Sequence, residues 1–209
     1  MITETSDIIG LFGGSFNPPH LGHYQSAKYF KDTLCGSGLV IMPSGIPPHK
    51  KLPPNSPTNS QRLEMCRLAF GDLGQVSDFE ITSEKVTYTY YTVKHLQALY
   101  SDKRIAMLIG TDMLLSFEKW FNFEYLLNNT ILAVTHRNES GGEALSAECD
   151  RLTARYSANV VLLDINPPTI SSTEIRAAIS CGQNASEYLS NSVLEYIKQQ
   201  KLYKEQTNV

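Results

Sequence analysis

The chain lacks the features of several protein classes. Its four cysteines, Cys35, Cys66, Cys149 and Cys181, form no Cys-x-x-Cys pair and stand at no metal-ligand spacing from a histidine, which argues against zinc and redox motifs. No segment approaches the roughly 20 apolar residues of a membrane helix, and the N-terminus does not resemble a signal peptide. With 18 basic and 21 acidic residues, no basic surface for nucleic acid is indicated. We therefore expect a cytoplasmic protein with reduced thiols and no nucleic-acid or membrane partner.

The 209 residues suit a single domain over residues 1–209, with the C-terminal helices from about residue 171 packed on it. Short apolar runs without polar alternation, such as Ile8 to Phe12 and Ile105 to Ile109, alternate with segments of helical period. This pattern predicts an α/β fold, a Rossmann-like doubly wound parallel sheet with helices on both faces. The predicted strands cover residues 8–12, 39–42, 76–81, 105–109, 131–135 and 160–163, and the last helix runs from about residue 186 to 203. In such a sheet ligands bind beyond the carboxyl ends of the strands.

The first segment after a predicted strand combines two glycines with two histidines. Gly13 and Gly14 permit close approach of the backbone to a ligand. His20 and His23, three residues apart at a helix start, project from one face. Together with the helix N-terminus they favour a phosphate site. A metal pair is less favoured because no third ligand stands nearby, and the glycine spacing does not fit the dinucleotide-binding fingerprint.

Two further segments offer polar and aromatic groups after strands. His49 and Lys50 lie in a proline-rich loop, where a solvated surface is the simpler interpretation. Asp112, directly after Gly110-Thr111, is placed to accept a hydrogen bond from a ribose hydroxyl. Trp120 is the only tryptophan, and its alternatives are core packing or stacking on a planar ring.

A fourth segment contains a cation that its helix does not explain. Ser171 and Glu174 have the spacing of a capping box. Arg176 lies in the first turn of the same helix, where the helix dipole disfavours a positive charge. A polyphosphate bound at the same helix end would stabilise that charge.

Taken together, these segments resemble a known enzyme family. Gly-Ser-Phe-Asn-Pro-Pro-His20-Leu-Gly-His23 is similar to the His-x-Gly-His signature of the nucleotidyltransferase superfamily, and Ile170-Ser-Ser-Thr-Glu-Ile-Arg176 to its Ile-Ser-x-Thr-x-x-Arg signature. Pro-Pro-His49-Lys50, Thr87-Tyr-Thr89 with Thr92, and Gly110-Thr-Asp112 with Trp120 resemble the bacterial nicotinate-nucleotide adenylyltransferases. Asn17 stands where many members have aspartate, and Thr87 where serine is more frequent.

The resemblance implies roles for individual residues. The catalytic groups would be His20, His23, Lys50 and Arg176. ATP would contact Gly13, Gly14, Ser15, Phe16, His20, His23, His49, Gly110, Asp112, Ser171, Ser172, Thr173 and Arg176. The mononucleotide would contact Ser15, Phe16, Thr89, Trp120 and Phe121. No residue is assigned as a metal ligand, because Mg²⁺ would be held mainly by substrate phosphates and water.

The resemblance also implies a reaction: adenylyl transfer from ATP to nicotinate mononucleotide in NAD biosynthesis, with a homo-oligomer left open. The alternatives are a nicotinamide-nucleotide or pantetheine-phosphate adenylyltransferase, a cytidylyltransferase, or an ATP-binding sensor without catalysis. The pantetheine-phosphate and cytidylyltransferase families share the His-x-Gly-His element but do not account for Pro-Pro-His49-Lys50 or for Asp112 with Trp120.

Overall fold

A computed structural model describes residues 5–45, 56–83, 86–136, 142–165, 168 and 170–204, without the side chains of residues 136 and 143. His49 and Lys50 lie outside the described residues. Six parallel strands form one sheet in the order β3-β2-β1-β4-β5-β6. The strands are β1 Ile8–Gly14, β2 Gly38–Pro43, β3 Gln75–Val76, β4 Arg104–Gly110, β5 Thr130–His136 and β6 Asn159–Asp164.

Eight α-helices connect or follow these strands in the described part of the chain. They are α1 Leu21–Leu34, α2 Asn59–Phe70, α3 Thr89–Leu99, α4 Thr111–Leu115, α5 Phe123–Asn129, α6 Gly142–Tyr156, α7 Ser172–Ser180 and α8 Asn191–Gln199. A 3-10 helix at Phe117–Lys119 lies between α4 and α5. None of the described helices is long and apolar enough to span a membrane.

Successive strand residues point to opposite faces of the sheet and divide between two hydrophobic clusters. Ile9 and Leu11 pack with residues of α3 to α6, whereas Ile8 and Phe12 pack with residues of α1 and α2. The prediction of a doubly wound parallel sheet with helices on both faces is therefore confirmed. A third cluster packs α7 and α8 against Met65 of α2; the single-domain organisation stays a prediction.

The sheet opens between its two central strands. β1 pairs with β4 only from Ile8↔Arg104 to Leu11↔Met107. Beyond that point β1 continues to pair with β2 as far as Gly14↔Pro43, and β4 with β5 as far as Gly110↔Thr135. The carboxyl ends of β1 and β4 therefore separate at the point where the strand order reverses, which is where ligands bind in such sheets.

Two predicted elements were wrong in extent. The strand expected over residues 76–81 ends at Val76, because the Asp78 carbonyl accepts both the N–H (3.0 Å) and the hydroxyl (2.9 Å) of Thr82 and closes a turn. The last helix, expected from about residue 186, begins only at Asn191, where Ser190 Oγ accepts the N–H of Val193 at 3.4 Å. In both cases a local hydrogen bond to a carbonyl or hydroxyl oxygen overrides the apolar pattern.

Candidate active site

The turn after β1 presents its backbone to the opening. Gly13 is exposed, and Gly14 and Ser15 are partly exposed. Phe16 has a left-handed backbone with φ of 43°, and its ring is 1% exposed and packs against Phe12. The Phe16 side chain is thus part of the core, and only its backbone can line a groove.

The two histidines form a mutual cap at the start of α1. The backbone N–H of His23 donates to Nδ1 of His20, and the N–H of His20 donates to Nδ1 of His23, each at 3.3 Å. The rings stack with centroids 3.6 Å apart. Because each Nδ1 accepts a hydrogen bond, the proton of each neutral ring lies on Nε2. Each ring therefore carries its N–H on Nε2, and such a group is a donor of the kind that binds phosphate oxygens.

This arrangement limits how far the N–H groups at the start of α1 can contribute to a phosphate site, and it explains why Gly22 is a glycine. The N–H groups of this helix end are partly occupied, since His23 binds His20 and Leu21 donates to the Tyr188 carbonyl at 2.8 Å. A Cβ at Gly22 would lie 3.2 Å from His20 Nδ1 and 3.3 Å from the Pro168 carbonyl oxygen. The glycine lets the His20 ring and the segment after β6 approach α1 together.

The second signature segment contacts the first. Ser172 Oγ donates to the Pro18 carbonyl at 2.9 Å, and Arg176 Nη1 donates to the Asn17 carbonyl at 2.8 Å. Arg176 also donates to Thr173 Oγ1 at 3.1 Å. These bonds supply a local partner for the charge that the helix dipole disfavours, and they use two of the five guanidinium N–H donors.

The start of α7 is capped as the sequence predicts. The N–H of Glu174 donates to Ser171 Oγ at 3.2 Å, and Glu174 Oε2 accepts the Ser171 N–H at 2.8 Å. The first N–H groups of a helix, here those of Ser172 and Thr173, have no partner within the helix. They lie on the segment that meets the turn after β1.

Across the opening, the end of β4 presents Gly110 and Asp112. A Cβ built on Gly110 would meet no atom within 4 Å. Asp112 is exposed in the first turn of α4. The Thr111 hydroxyl holds this turn to β5 by donating to the Thr135 carbonyl at 3.2 Å.

An aromatic patch lies between the start of α3 and the segment after α4. Trp120 is partly buried and stacks on Phe117, with ring centroids 4.8 Å apart. Phe121 is 42% exposed, and its ring contacts Tyr88 at 4.8 Å and Tyr90 at 5.7 Å. The fold thus brings the Thr89 segment to the Trp120 segment, as the assigned mononucleotide contacts require.

Comparisons with known proteins identify the family. The cytidylyltransferase-like family model matches residues 11–178. A protein of Caldicellulosiruptor saccharolyticus named probable nicotinate-nucleotide adenylyltransferase is 32% identical over 94% of this chain and 99% of its own. A protein of the same name from Clostridium botulinum is 30% identical over 94% of this chain and 98% of its own.

The chain belongs to the nicotinate-nucleotide adenylyltransferase family.

The fold of this family member is also seen in a solved structure. The nicotinic acid mononucleotide adenylyltransferase of Plasmodium falciparum, complexed with NaAD, superimposes with a TM-score of 0.73 at 17% identity, over 94% of this chain and 97% of that one. At that identity the similarity shows the fold alone. Among the described residues of this family member, no three His, Cys, Asp or Glu side chains come together as a metal site.

Sequence reasoning missed three residues that lie beside the candidate site. Arg62 is 0% exposed. Its guanidinium donates to the carbonyl of Ser15, which follows β1, and to the carbonyl of Ser44, which follows β2. Glu80 accepts the hydroxyls of Thr87 and Thr92, and burial raises the pKa of its carboxyl.

The third missed residue is Tyr203, whose hydroxyl donates to Asn17 Oδ1 at 2.8 Å. Burial raises the pKa of its phenol. Asn17 is 2% exposed, and its Nδ2 donates to Ser56 Oγ at 2.9 Å. Of these three residues, only Arg62 could have been noticed in the sequence. It is a cation one turn before Cys66, on the apolar face of α2.

Proposed function

We propose that this protein transfers the adenylyl group of ATP to nicotinate mononucleotide, giving nicotinate adenine dinucleotide and pyrophosphate in NAD biosynthesis. The observation that carries the proposal is the meeting of the two signature segments, with Arg176 bound to the Asn17 carbonyl, at the point where β1 and β4 separate. The aromatic patch around Trp120 supplies a surface for the pyridine ring. The curated relatives carry the name of this reaction.

The chemistry requires positioning and charge stabilisation. The phosphate of the mononucleotide carries a negative charge at neutral pH and needs no general base. It attacks the α-phosphorus of ATP in line, the bond to the β-phosphate breaks, and pyrophosphate leaves. Negative charge grows on the leaving group, where the Nε2–H donors of His20 and His23 and the guanidinium of Arg176 stabilise it. His49 and Lys50 are proposed to act on the same triphosphate.

The described side chains fit Mg²⁺ held by the substrate. Among the described residues, the proposed phosphate contacts are histidines, an arginine and backbone groups, and Asp112, the one acidic residue assigned to the site, is exposed in the first turn of α4. A magnesium ion bound to the ATP phosphates would neutralise part of their charge while keeping several water ligands.

The compartment and the remaining partners follow from the same proposal. All four cysteines are free thiols, three of them buried, as in proteins of a reducing compartment. We therefore place the reaction in the cytoplasm, with ATP and the mononucleotide as partners. Self-association stays a prediction.

Pyrophosphate release tests the proposal directly. The purified protein is incubated with ATP and Mg²⁺ and with either nicotinate or nicotinamide mononucleotide. Turnover that favours the nicotinate form is expected. Turnover with the amide alone would reassign the pocket, and ATP binding without turnover would indicate a sensor. Silence with both would direct the search to phosphopantetheine.

The histidine roles are tested with variants that preserve the helix cap. His20→Asn places a good N-cap residue at position 20, and His23→Gln introduces glutamine, a usual partner in a capping box. The free energy of unfolding should therefore change by less than about 1 kcal/mol. Loss of the imidazole donors should lower kcat on the order of 100-fold with a much smaller rise in KM. Stopped-flow or steady-state kinetics measure this split. A rise in KM with kcat unchanged would count against the transition-state role.

A further inference from the structure

Arg62 is a buried cation whose described hydrogen-bond partners are all uncharged. Its Nη1 donates to the Ser15 carbonyl at 2.9 Å, and its Nη2 to the Ser44 carbonyl and to Asn59 Oδ1, each at 2.7 Å. Its Nε is buried and makes no hydrogen bond within the described part of the chain. Burial lowers the pKa of the guanidinium. One side chain of α2 thus holds the turn after β1 and the residue after β2 together.

Glu80 makes a corresponding set of contacts on the other side. Its Oε1 accepts the Thr92 hydroxyl at 2.5 Å and its Oε2 the Thr87 hydroxyl at 3.2 Å. The Gly45 backbone lies against Glu80 and lowers the pKa of this carboxyl, which opposes the larger effect of burial. A Cβ at Gly45 would lie 2.0 Å from the Glu80 carbonyl oxygen, so a side chain there would prevent this approach.

The two sets of contacts meet at two consecutive residues. Ser44 and Gly45 are joined by one planar peptide group. Arg62 donates to the Ser44 carbonyl, and Gly45 packs against the Glu80 backbone. Through this peptide, the Ser15 turn is linked to Thr87 and Thr92 at the start of α3.

We propose that Arg62 and Glu80 are positioning residues that fix the phosphate groove after β1 relative to the mononucleotide pocket at the start of α3. The inference rests on the proposed function, because it assigns a purpose to the distance between two substrate sites. In-line attack depends on that distance, and a misplacement of 1 Å can cost about 100-fold in rate.

A gain in the free energy of unfolding does not by itself explain the buried polar contacts of Arg62 and Glu80. A buried guanidinium loses its hydration, and apolar residues of similar volume often stabilise a core equally well or better. The contacts of Arg62 and Glu80 are directional, and they end on three segments that carry assigned substrate contacts or lie next to them. Directional bonds of this kind determine relative position more than free energy of unfolding.

The test uses Arg62→Met, Arg62→Lys and Glu80→Gln in the full chain. Arg67→Met, on the exposed side of α2 where it pairs with Glu64, and Asp78→Asn, exposed in the neighbouring turn, are the controls. We measure kcat for the complete reaction and, separately, the Kd for ATP and for nicotinate mononucleotide. Arg62→Met and Glu80→Gln should lower kcat on the order of 100-fold while each Kd stays within about threefold. Arg62→Lys, which keeps the charge without the planar fork, should lie between Arg62→Met and wild type.

A double variant distinguishes a shared role from two separate ones. Because Arg62 and Glu80 both contact the Ser44–Gly45 segment, Arg62→Met with Glu80→Gln should lose much less than the product of the single losses. Multiplicative losses, or variants that are less stable but retain the kcat of the controls, would overturn the proposal. If Arg62→Met does not fold, Arg62→Lys and Glu80→Gln decide on the same criteria. An inactive wild type would instead refute the proposed function and this inference with it.

Discussion

Two glycines of the central strands β1 and β4 have different surroundings. At Gly10, in the middle of β1, a Cβ would lie 2.5 Å from Cys35 Sγ and 2.8 Å from Leu39 Cδ1, so packing explains the residue. At Gly110 the same atom would meet nothing within 4 Å. Gly110 also has a negative φ of −87° that any residue adopts. No contact within the described part of the chain requires a glycine at this position, and we propose that a ligand occupies the open space.

Gly110→Ala should separate binding from stability. The free energy of unfolding should change by less than about 1 kcal/mol, while the affinity for ATP falls because the methyl group occupies ligand space. Thermal unfolding and calorimetric titration with ATP measure the two quantities. Gly10→Ala should do the opposite, with reduced stability from the core clash. Unchanged ATP affinity in Gly110→Ala would show that the space is not used.

Trp120→Ala tests the ring-stacking role. Trp120 already stacks on Phe117, so one face is used for packing and the question concerns the rest of the ring. Loss of stacking should weaken the mononucleotide by about 1–3 kcal/mol and leave the Kd of ATP unchanged. Trp120→Phe, which keeps an aromatic ring, is the matched control. Collapse of ATP binding as well would identify Trp120 as a core residue.

At the scale of elements, α6 is connected to the segment that carries Trp120. Arg151 donates to Glu118 Oε2 at 2.7 Å, and the Tyr156 hydroxyl donates to Glu118 Oε1 at 2.6 Å. Glu118 belongs to the 3-10 helix directly before Trp120. Residues 135–151 contain none of the motif segments quoted above, and Arg151 gives that stretch a contact with the residues next to Trp120.

These contacts predict a pH dependence. The hydrogen bond from Arg151 lowers the pKa of the Glu118 carboxyl from 4.5 to about 2, with Tyr156 contributing further. A depressed carboxyl pKa stabilises the fold above the unfolded value and loses that contribution as the pH falls toward 2. The Tm advantage of wild type over Glu118→Gln should thus be full at pH 6 and reduced at pH 3. Glu187→Gln, at an exposed site, is the control, and an advantage independent of pH would contradict the assignment.

At the scale of the whole molecule, the C-terminal segment forms a hydrogen bond with the first signature motif. Tyr203 follows α8, and its hydroxyl binds Asn17, 186 positions earlier in the chain. α8 packs on α2 through the third cluster. The aspartate found at position 17 in many family members is here an asparagine, whose Oδ1 accepts from Tyr203 while its Nδ2 donates to Ser56.

Tyr203→Phe should therefore cost about 1–3 kcal/mol of unfolding free energy, because the Asn17 oxygen would be left buried without its partner. Chemical denaturation measures the change. Tyr29→Phe, at an exposed position on α1, is the control and should be neutral within about 0.5 kcal/mol. Equal stability of Tyr203→Phe and wild type would mean that water or another group satisfies Asn17.

The sequence by itself determined the local features. Apolar runs of strand length placed five of the six strands, and the capping box located α7, because these features depend on neighbours within four residues. Motif resemblance identified the family, since its signature residues are read directly from the chain.

Only the tertiary structure decided how those features meet. The separation of β1 and β4, the contact of Arg176 with Asn17, and the contacts of Arg62 and Glu80 with Ser44 and Gly45 all involve segments that are far apart in sequence. No local pattern specifies which carbonyl a buried guanidinium will face, because that depends on the packing of α2 against the sheet. The same packing buries the Phe16 side chain in the core, so that only the backbone of Phe16 can line the proposed groove.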